Sequence, residues 1–307
     1  MFKRLLIPLD GSRMAETVLP VAAWLTERFA PEVVLIHVIE PHAPKEIHGE
    51  RHLQAPEEAA AYLAEVQQQW FAAPAVVSTH VHSDDVAGIT EGILMHAAEF
   101  DTDLIIMCTH GHSARQFIFG TVAQQVASRG DVPVFFVRAR HGTPEKPFAL
   151  GKLLVPLDGD PEHELGVNVA AEIAQALKAT LHLVQVVQNL GDISGGWTQT
   201  ARLLPHATSK YLDLLEDAAG QYLAGVQTRL KQGGLEVTTE VQRGEPADVI
   251  ADIAMQRQSD LIVIGTHGKI GGEGFWSGSL TPRICERADT PMLLVPTSLV
   301  QHPDEPR

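Results

Sequence analysis

One glycine-rich run carries the strongest chemical signal in the chain. It reads Gly265-Thr266-His267-Gly268-Lys269-Ile270-Gly271-Gly272-Glu273-Gly274-Phe275-Trp276-Ser277-Gly278-Ser279, and a helical pattern follows from Leu280. Glycines let a backbone approach a ligand closely. Gly278 and Ser279 stand at a helix N-terminus, where free N–H groups and the helix dipole favour an anion. The Ser279 hydroxyl is placed either to bond a phosphate or to cap the helix. A plain surface loop would also be rich in glycine. The run is not a Walker A loop, because the Gly-Lys-Ser/Thr ending is missing. Nor is it a Rossmann fingerprint, because it follows the fourth strand of its half rather than the first.

A second pair of turns follows the first strand of each half: Asp10-Gly11-Ser12 and Asp158-Gly159-Asp160. A carboxylate there could accept hydrogen bonds from a ribose, or it could initiate a turn or cap a helix. Both readings are open on these residues alone.

The elements that position these loops come in two copies. Lys3-Arg4-Leu5-Leu6-Ile7-Pro8-Leu9-Asp10-Gly11 recurs as Gly151-Lys152-Leu153-Leu154-Val155-Pro156-Leu157-Asp158-Gly159, and 103–111 recurs as 260–268. Val132-Pro133-Val134-Phe135-Phe136-Val137 recurs as Thr290-Pro291-Met292-Leu293-Leu294-Val295. Three matches in one order indicate a tandem repeat. The offset grows from 148 residues (Asp10 to Asp158) to 157 (His110 to His267), so the second copy carries about nine extra residues near its middle. Domains are expected over 1–140 and 151–298, with a Gly-, Pro- and charge-rich linker at 141–150 and a frayed tail at 299–307.

In each half, apolar runs alternate with amphipathic helical patterns. Strands are expected at 5–9, 33–39, 76–81, 104–108 and 134–137, with helices at 14–29, 57–70, 86–100 and 122–129. The second half repeats this with strands at 153–157, 180–187, 236–242, 261–265 and 292–295, and helices at 162–177, 211–231, 247–258 and 280–287. Asp160-Pro161 reads as a helix start and Gly233-Gly234 as a helix end. Continuous apolar strands alternating with helices specify a parallel sheet covered on both faces. Ligands of such α/β sheets sit beyond the carboxyl ends of the strands, where the strand order reverses.

Composition narrows the partners. The chain has 307 residues, about two domains' worth, and a formal net charge of −15. That charge repels nucleic-acid phosphates and anionic lipid, so neither nucleic acid nor membrane is an expected partner. A small phosphate ligand held by backbone amides remains compatible. Only Cys108 and Cys285 are present, which argues against a disulfide framework and for a reducing compartment. The first residues lack a signal-peptide apolar run, and no stretch approaches the ~20 apolar residues of a membrane span. The expected location is cytoplasmic.

On these residues the sequence resembles the universal stress protein family in its tandem form, over nearly the whole chain. Nucleotide-binding members carry Gly-x-x-Gly, nine residues, then Gly-Ser/Thr. Here Gly265 and Gly268 are followed by the nine residues 269–277 and then by Gly278-Ser279. The resemblance implies two doubly wound five-stranded domains of strand order 3-2-1-4-5, of the adenine-nucleotide α-hydrolase type. It implies ATP, ADP or AMP at the carboxyl ends of strands one and four, with Mg²⁺ able to accompany the nucleotide. Pro156, Leu157 and Asp158 would flank adenine and ribose, and Val186 would lie against adenine. Gly265, His267, Gly268, Gly278, Ser279 and Leu280 would follow ribose and phosphates. In this family last strands pair across a two-fold axis, so 134–137 and 292–295 would form an intramolecular pseudo-dimer, with further homodimerisation open.

The first half departs from the pattern. Cys108 replaces the first glycine, and Gly111 and Gly120 are separated by eight residues rather than nine, although Gly120-Thr121 is kept. A sulfur at that place would crowd a ligand, and a shorter loop would re-aim its N–H groups. A weaker site is therefore expected on Asp10, Val38, Gly111, Gly120 and Thr121.

Other residues allow several readings. Trp276 and Phe275 could close over a nucleotide, contact a partner or pack on the next helix, and 191–209 reads as a lid or insertion loop. Cys108 reads as a small core residue rather than a redox sensor. Ten of the fifteen histidines fall within residues 1–141, and His80 and His82 share one face of a strand. No Cys or carboxylate spacing completes a metal set, so solvated or loosely packed histidines are expected and no metal site. His42, His48 and His52 fall in a polar loop. No Walker lysine, Mg²⁺-binding carboxylate pair or placed general base is evident, so no catalytic residue is expected. The main expectation is a stress-response module that binds a nucleotide with at most weak hydrolysis. A slow ATPase or phosphotransferase using Asp158, His267 or Lys269, and a ligand-free scaffold, are the alternatives.

Overall fold

The computed structural model describes residues 1–40, 46–47, 50–83, 88–109, 121–139, 147–188, 205–266 and 280–296. The chain divides into two compact units, the first built on Met1–Ala149 and the second beginning at Leu150. Residues 141–146 of the expected linker, the expected tail, residues 191–204 of the lid expected at 191–209, and Phe275 and Trp276 lie outside the described residues, while residues 205–209 belong to a helix.

The first unit runs β1 (Arg4–Pro8), a 3-10 turn (Ala15–Val18), α1 (Leu19–Phe29), β2 (Glu32–Val38), β3 (Glu46–Ile47), β4 (Glu50–Arg51), α2 (Pro56–Trp70), β5 (Val76–His82), α3 (Ile89–Glu99), β6 (Leu104–Thr109), α4 (Thr121–Arg129) and β7 (Val134–Arg138). Its main sheet has the order β5-β2-β1-β6-β7, with every pairing parallel. The second unit runs β8 (Lys152–Leu157), a 3-10 turn (Pro161–Glu164), α5 (Leu165–Leu177), β9 (Thr180–Val187), α6 (Pro205–Gln232), β10 (Val237–Arg243), α7 (Pro246–Arg257), β11 (Leu261–Thr266), α8 (Leu280–Arg287) and β12 (Met292–Pro296). Its order is β10-β9-β8-β11-β12, again parallel. Within each unit this is the expected 3-2-1-4-5.

The central strands are apolar on both faces because helices cover both. Leu5, Leu6, Ile7, Leu104, Ile105 and Ile106 are all fully buried, as are Leu154, Leu261, Ile262 and Val263. Each such side chain contributes about 1.5–3 kcal/mol of burial. Among the described residues no helix is long and apolar enough to cross a membrane.

The repeat extends from sequence into contacts. Asp103 accepts from the backbone N–H groups of Lys3 (2.6 Å) and Arg4 (3.1 Å), and Asp260 accepts from those of Gly151 and Lys152 (both 2.8 Å). Tyr62 donates to Glu16 at 3.1 Å, and Tyr222 to Glu164 at 2.9 Å. Gln67 donates to the Val77 carbonyl at 3.0 Å, and Gln227 to that of Val237 at 2.8 Å. Left-handed residues recur too, at Ala30 and Lys178 and again at Asp101 and Gln258.

Several elements differ from expectation. The patterns at 14–29 and 162–177 each break into a 3-10 turn followed by a helix, and Pro20 sits in the first turn of α1, where a missing N–H costs nothing. Helix α6 begins six residues earlier than residue 211, at Pro205, for the same reason. The polar segment around residues 46–51 contains a short antiparallel pair, β3 with β4, and His52 just after it is buried rather than solvated.

A crevice where the strand order reverses

In both units the ladder between the first and fourth strands is short. β8 pairs with β11 only through Leu153–Leu261 and Leu154–Ile262, and β1 pairs with β6 only through Leu5–Leu104 and Leu6–Ile105. The outer pairings are longer: β8 keeps six partners on β9, and β11 keeps five on β12. Pro156 and Pro8 sit on the first strands past the last rung, where a residue without an N–H cannot continue the ladder. The strands therefore part toward their carboxyl ends at the switch point that binds ligands in α/β sheets.

Around this opening in the second unit stand Pro156 (half-buried), Leu157 (buried), Asp158 (exposed) and Val186 (half-buried). Gly265 ends the approach along β11, and Leu280 opens α8. Asp158 Oδ1 accepts the Asp160 N–H at 3.0 Å, forming a turn over Gly159, whose φ of +91° suits glycine. The turn role of Asp158 is thus present, and one carboxylate oxygen serves it. His267, Gly268, Gly278 and Ser279 lie outside the described residues.

Two further residues belong to this place and carry no motif signal. Gln185, which pairs in register with Leu157, lays its amide against Gly159, and its Oε1 is buried without a hydrogen-bond partner among the described residues. Gly166, near the start of α5, packs directly on the Gly265 backbone. Helix α8 is tied to α7 by Arg283–Glu245 (2.8 Å) and Arg287–Asp248, which fixes the helix entry that follows the glycine run.

The first unit has the same opening with different walls. A cavity of about 270 Å³ is lined by Pro8, Leu9, Asp10, Ile36, His37, Val38, His52, Met107, Cys108, Thr121 and Val122, among others. Asp10, Val38 and Thr121 of the expected weaker site come together there, while Gly111 and Gly120 lie outside the described residues. Among the described residues no Lys or Arg lines it, and its volume falls below the ~300–1,000 Å³ of typical small-molecule sites. Asp10 Oδ1 takes hydrogen bonds from the Ser12 N–H (2.9 Å) and hydroxyl (2.6 Å), the same turn role as Asp158. Burial, with the Asp10 charge adding to it, pushes the Cys108 thiol up to about 12.

A separate cluster in the first unit joins His80 and His82 of β5 to His96 of α3. His82 and His96 are buried, where sequence leads to an expectation of solvated or loosely packed histidines. His96 has no signal in sequence linking it to the other two; helix α3 carries it across the sheet face.

Comparison with known proteins agrees with this architecture. The model of the universal stress protein family matches residues 1–138 and again 150–296. The universal stress protein MJ0531 of Methanocaldococcus jannaschii is 28% identical over 152 residues, 47% of this chain and 81% of its own. A universal stress protein of Mycolicibacterium smegmatis is 25% identical over 308 residues, covering 95% of this chain and 96% of its own. The crystal structure of a universal stress protein from Archaeoglobus fulgidus shares the fold with a TM-score of 0.69 at 18% identity, over 96% of this chain and 98% of that one. With two copies of the family domain in tandem and the family's strand order in each, the chain belongs to the universal stress protein family.

Proposed function

We propose that this stress protein binds an adenine nucleotide (ATP, ADP or AMP) in its second unit, and acts as a sensor rather than an efficient catalyst. The observation that carries the reading is the two-rung ladder between β8 and β11. It opens a crevice at the strand-order reversal, and the strand on one side leads into Gly-x-x-Gly-x9-Gly-Ser, with a helix beginning at Leu280. Pro156, Leu157, Asp158 and Val186 form the adenine and ribose side. The family pattern assigns Gly265, His267, Gly268, Gly278, Ser279 and Leu280 to the phosphate side, where amides and the helix dipole would replace a lysine. Gln185 Oε1, which has no hydrogen-bond partner among the described residues, supplies an acceptor for a base amino group or a ribose hydroxyl. The first unit is the weaker site, since Cys108 stands where the second unit has Gly265 and eight residues rather than nine separate Gly111 from Gly120.

Isothermal titration of the full chain with ATP, ADP and AMP tests this, on wild type and Gly278→Val. Wild type binds about one equivalent, and valine at 278 blocks the phosphates, so triphosphate affinity falls most. Gln185→Met, which removes the acceptor and keeps the volume, weakens all three nucleotides alike. Equal binding by wild type and Gly278→Val defeats the assignment of the site. Rapid metal-dependent turnover abolished by Asp158→Ala would replace the sensor with an enzyme.

A further inference from the structure

We propose that His80, His82 and His96 form a binding site for a divalent transition metal ion, zinc being the best match, with Glu99 orienting His96. The sequence reading expects no metal there, because the third ring comes from a helix that only the fold brings near.

His96 Nε2 lies 3.2 Å from His80 Nε2 and 2.9 Å from His82 Nδ1. One donor atom from each ring lies within 4.8 Å of the others. A tetrahedral zinc with Zn–N bonds of about 2.0–2.1 Å holds its nitrogens about 3.3 Å apart. Two edges of the triangle are already near that value. The third closes by rotation of His80, the half-exposed ring on edge strand β5. Three imidazoles with an open fourth position are a recurrent zinc set, and imidazole also suits Cu, Ni and Fe.

Hydrogen bonding alone leaves the cluster unsatisfied. Glu99 Oε2 stands 2.7 Å from His96 Nδ1, so the His96 N–H points at the carboxylate and its Nε2 presents a lone pair to the other two rings. A carboxylate behind a histidine is the arrangement that fixes the tautomer of a metal-bound ring. One ring lone pair accepts one hydrogen bond, yet two ring nitrogens converge on it. His82 Nε2, on the far side of its ring, is buried with no partner among the described residues. A cation answers all three converging nitrogens at once.

The second unit shows that the fold does not require such a cluster. There His182, Glu240, Gln242 and Arg257 fill the matching face of β9 and β10 with a self-satisfied network. Glu240 bonds His182 at 2.9 Å, Arg257 at 2.8 Å and Gln242 at 2.5 Å.

The test uses the full chain, stripped with chelator and held at neutral pH. It is titrated with zinc chloride by calorimetry and with Co²⁺ followed by visible absorption. Wild type takes up one equivalent, gains the intense visible bands of low-coordinate cobalt, and melts at a higher temperature with zinc than without. His96→Gln abolishes that equivalent, and Glu99→Gln weakens it by about 10–100-fold. His206→Gln, on an exposed residue of α6, leaves it intact. If His96→Gln fails to fold, His80→Gln decides, because its ring is partly exposed. Wild type that binds no zinc at about 100 µM, or His80→Gln with an unchanged isotherm, overturns the site.

Discussion

Gly166 and Gly265 meet backbone to backbone: a Cβ built on Gly166 would lie 2.8 Å from the Gly265 nitrogen and 3.3 Å from the Ile264 carbonyl carbon. Helix α5 rests directly on the strand that leads into the glycine run. Neither contact atom belongs to a side chain that could swing away. Gly166→Ala must therefore shift the helix or the strand, at a cost of about 1–3 kcal/mol. Gly220→Ala is the control, because nothing lies within 4 Å of that position in α6. There alanine should stabilise by about 0.5–1 kcal/mol through helix propensity. Thermal melts of the two variants should move in opposite directions. Equal shifts would mean the close contact carries no energetic weight.

Glu16 should make the first unit more stable in mild acid than at neutral pH. Burial, with Glu50 and Asp10 adding to it, pushes its carboxyl above the ordinary range, against the Tyr62 hydrogen bond that favours the ionised form. A carboxyl whose folded pKa is raised binds its proton longer folded than unfolded. Its contribution is full below the unfolded pKa and is lost as pH rises through the folded pKa. Glu16→Gln keeps an acceptor for Tyr62 and removes the charge. The variant should melt higher than wild type at pH 7, and the gap should close toward pH 4. A gap that widens on acidification would reverse the sign.

Cys108 lines the first cavity but should behave as an inert residue. With its thiol near 12, the thiolate is scarce at pH 8. Cys285 is buried, with its Sγ 3.2 Å from Met292 Sδ. A disulfide reagent should find almost no fast-reacting thiol in native protein and two after unfolding. One equivalent reacting within seconds on native protein would restore the redox reading of Cys108.

Periodicity located the ten main strands and the helices between them, because strands covered on both faces must read as unbroken apolar runs. The ends of elements followed local chemistry less obvious than the runs. Pro20 and Pro205 marked helix starts that the apolar pattern placed elsewhere. The two Asp turns were visible as Asp-Gly pairs, and the geometry adds the turn hydrogen bonds at Ser12 and Asp160. Gln185, Gly166 and His96 were illegible for a common reason. Each matters through a neighbour far along the chain: Gly159 for the first, Gly265 for the second, and His80 with His82 for the third. No spacing rule along one element encodes a meeting between two.

The duplicated closing contacts have an evolutionary corollary. Because each copy carries its own Asp clamp, Tyr–Glu tie and Gln bracket, its frame does not draw on the other copy for these links. Divergence at the mouth of one copy leaves these links of its twin in place. Such a chain can change the residues at one mouth while the links that frame the other stay as they are.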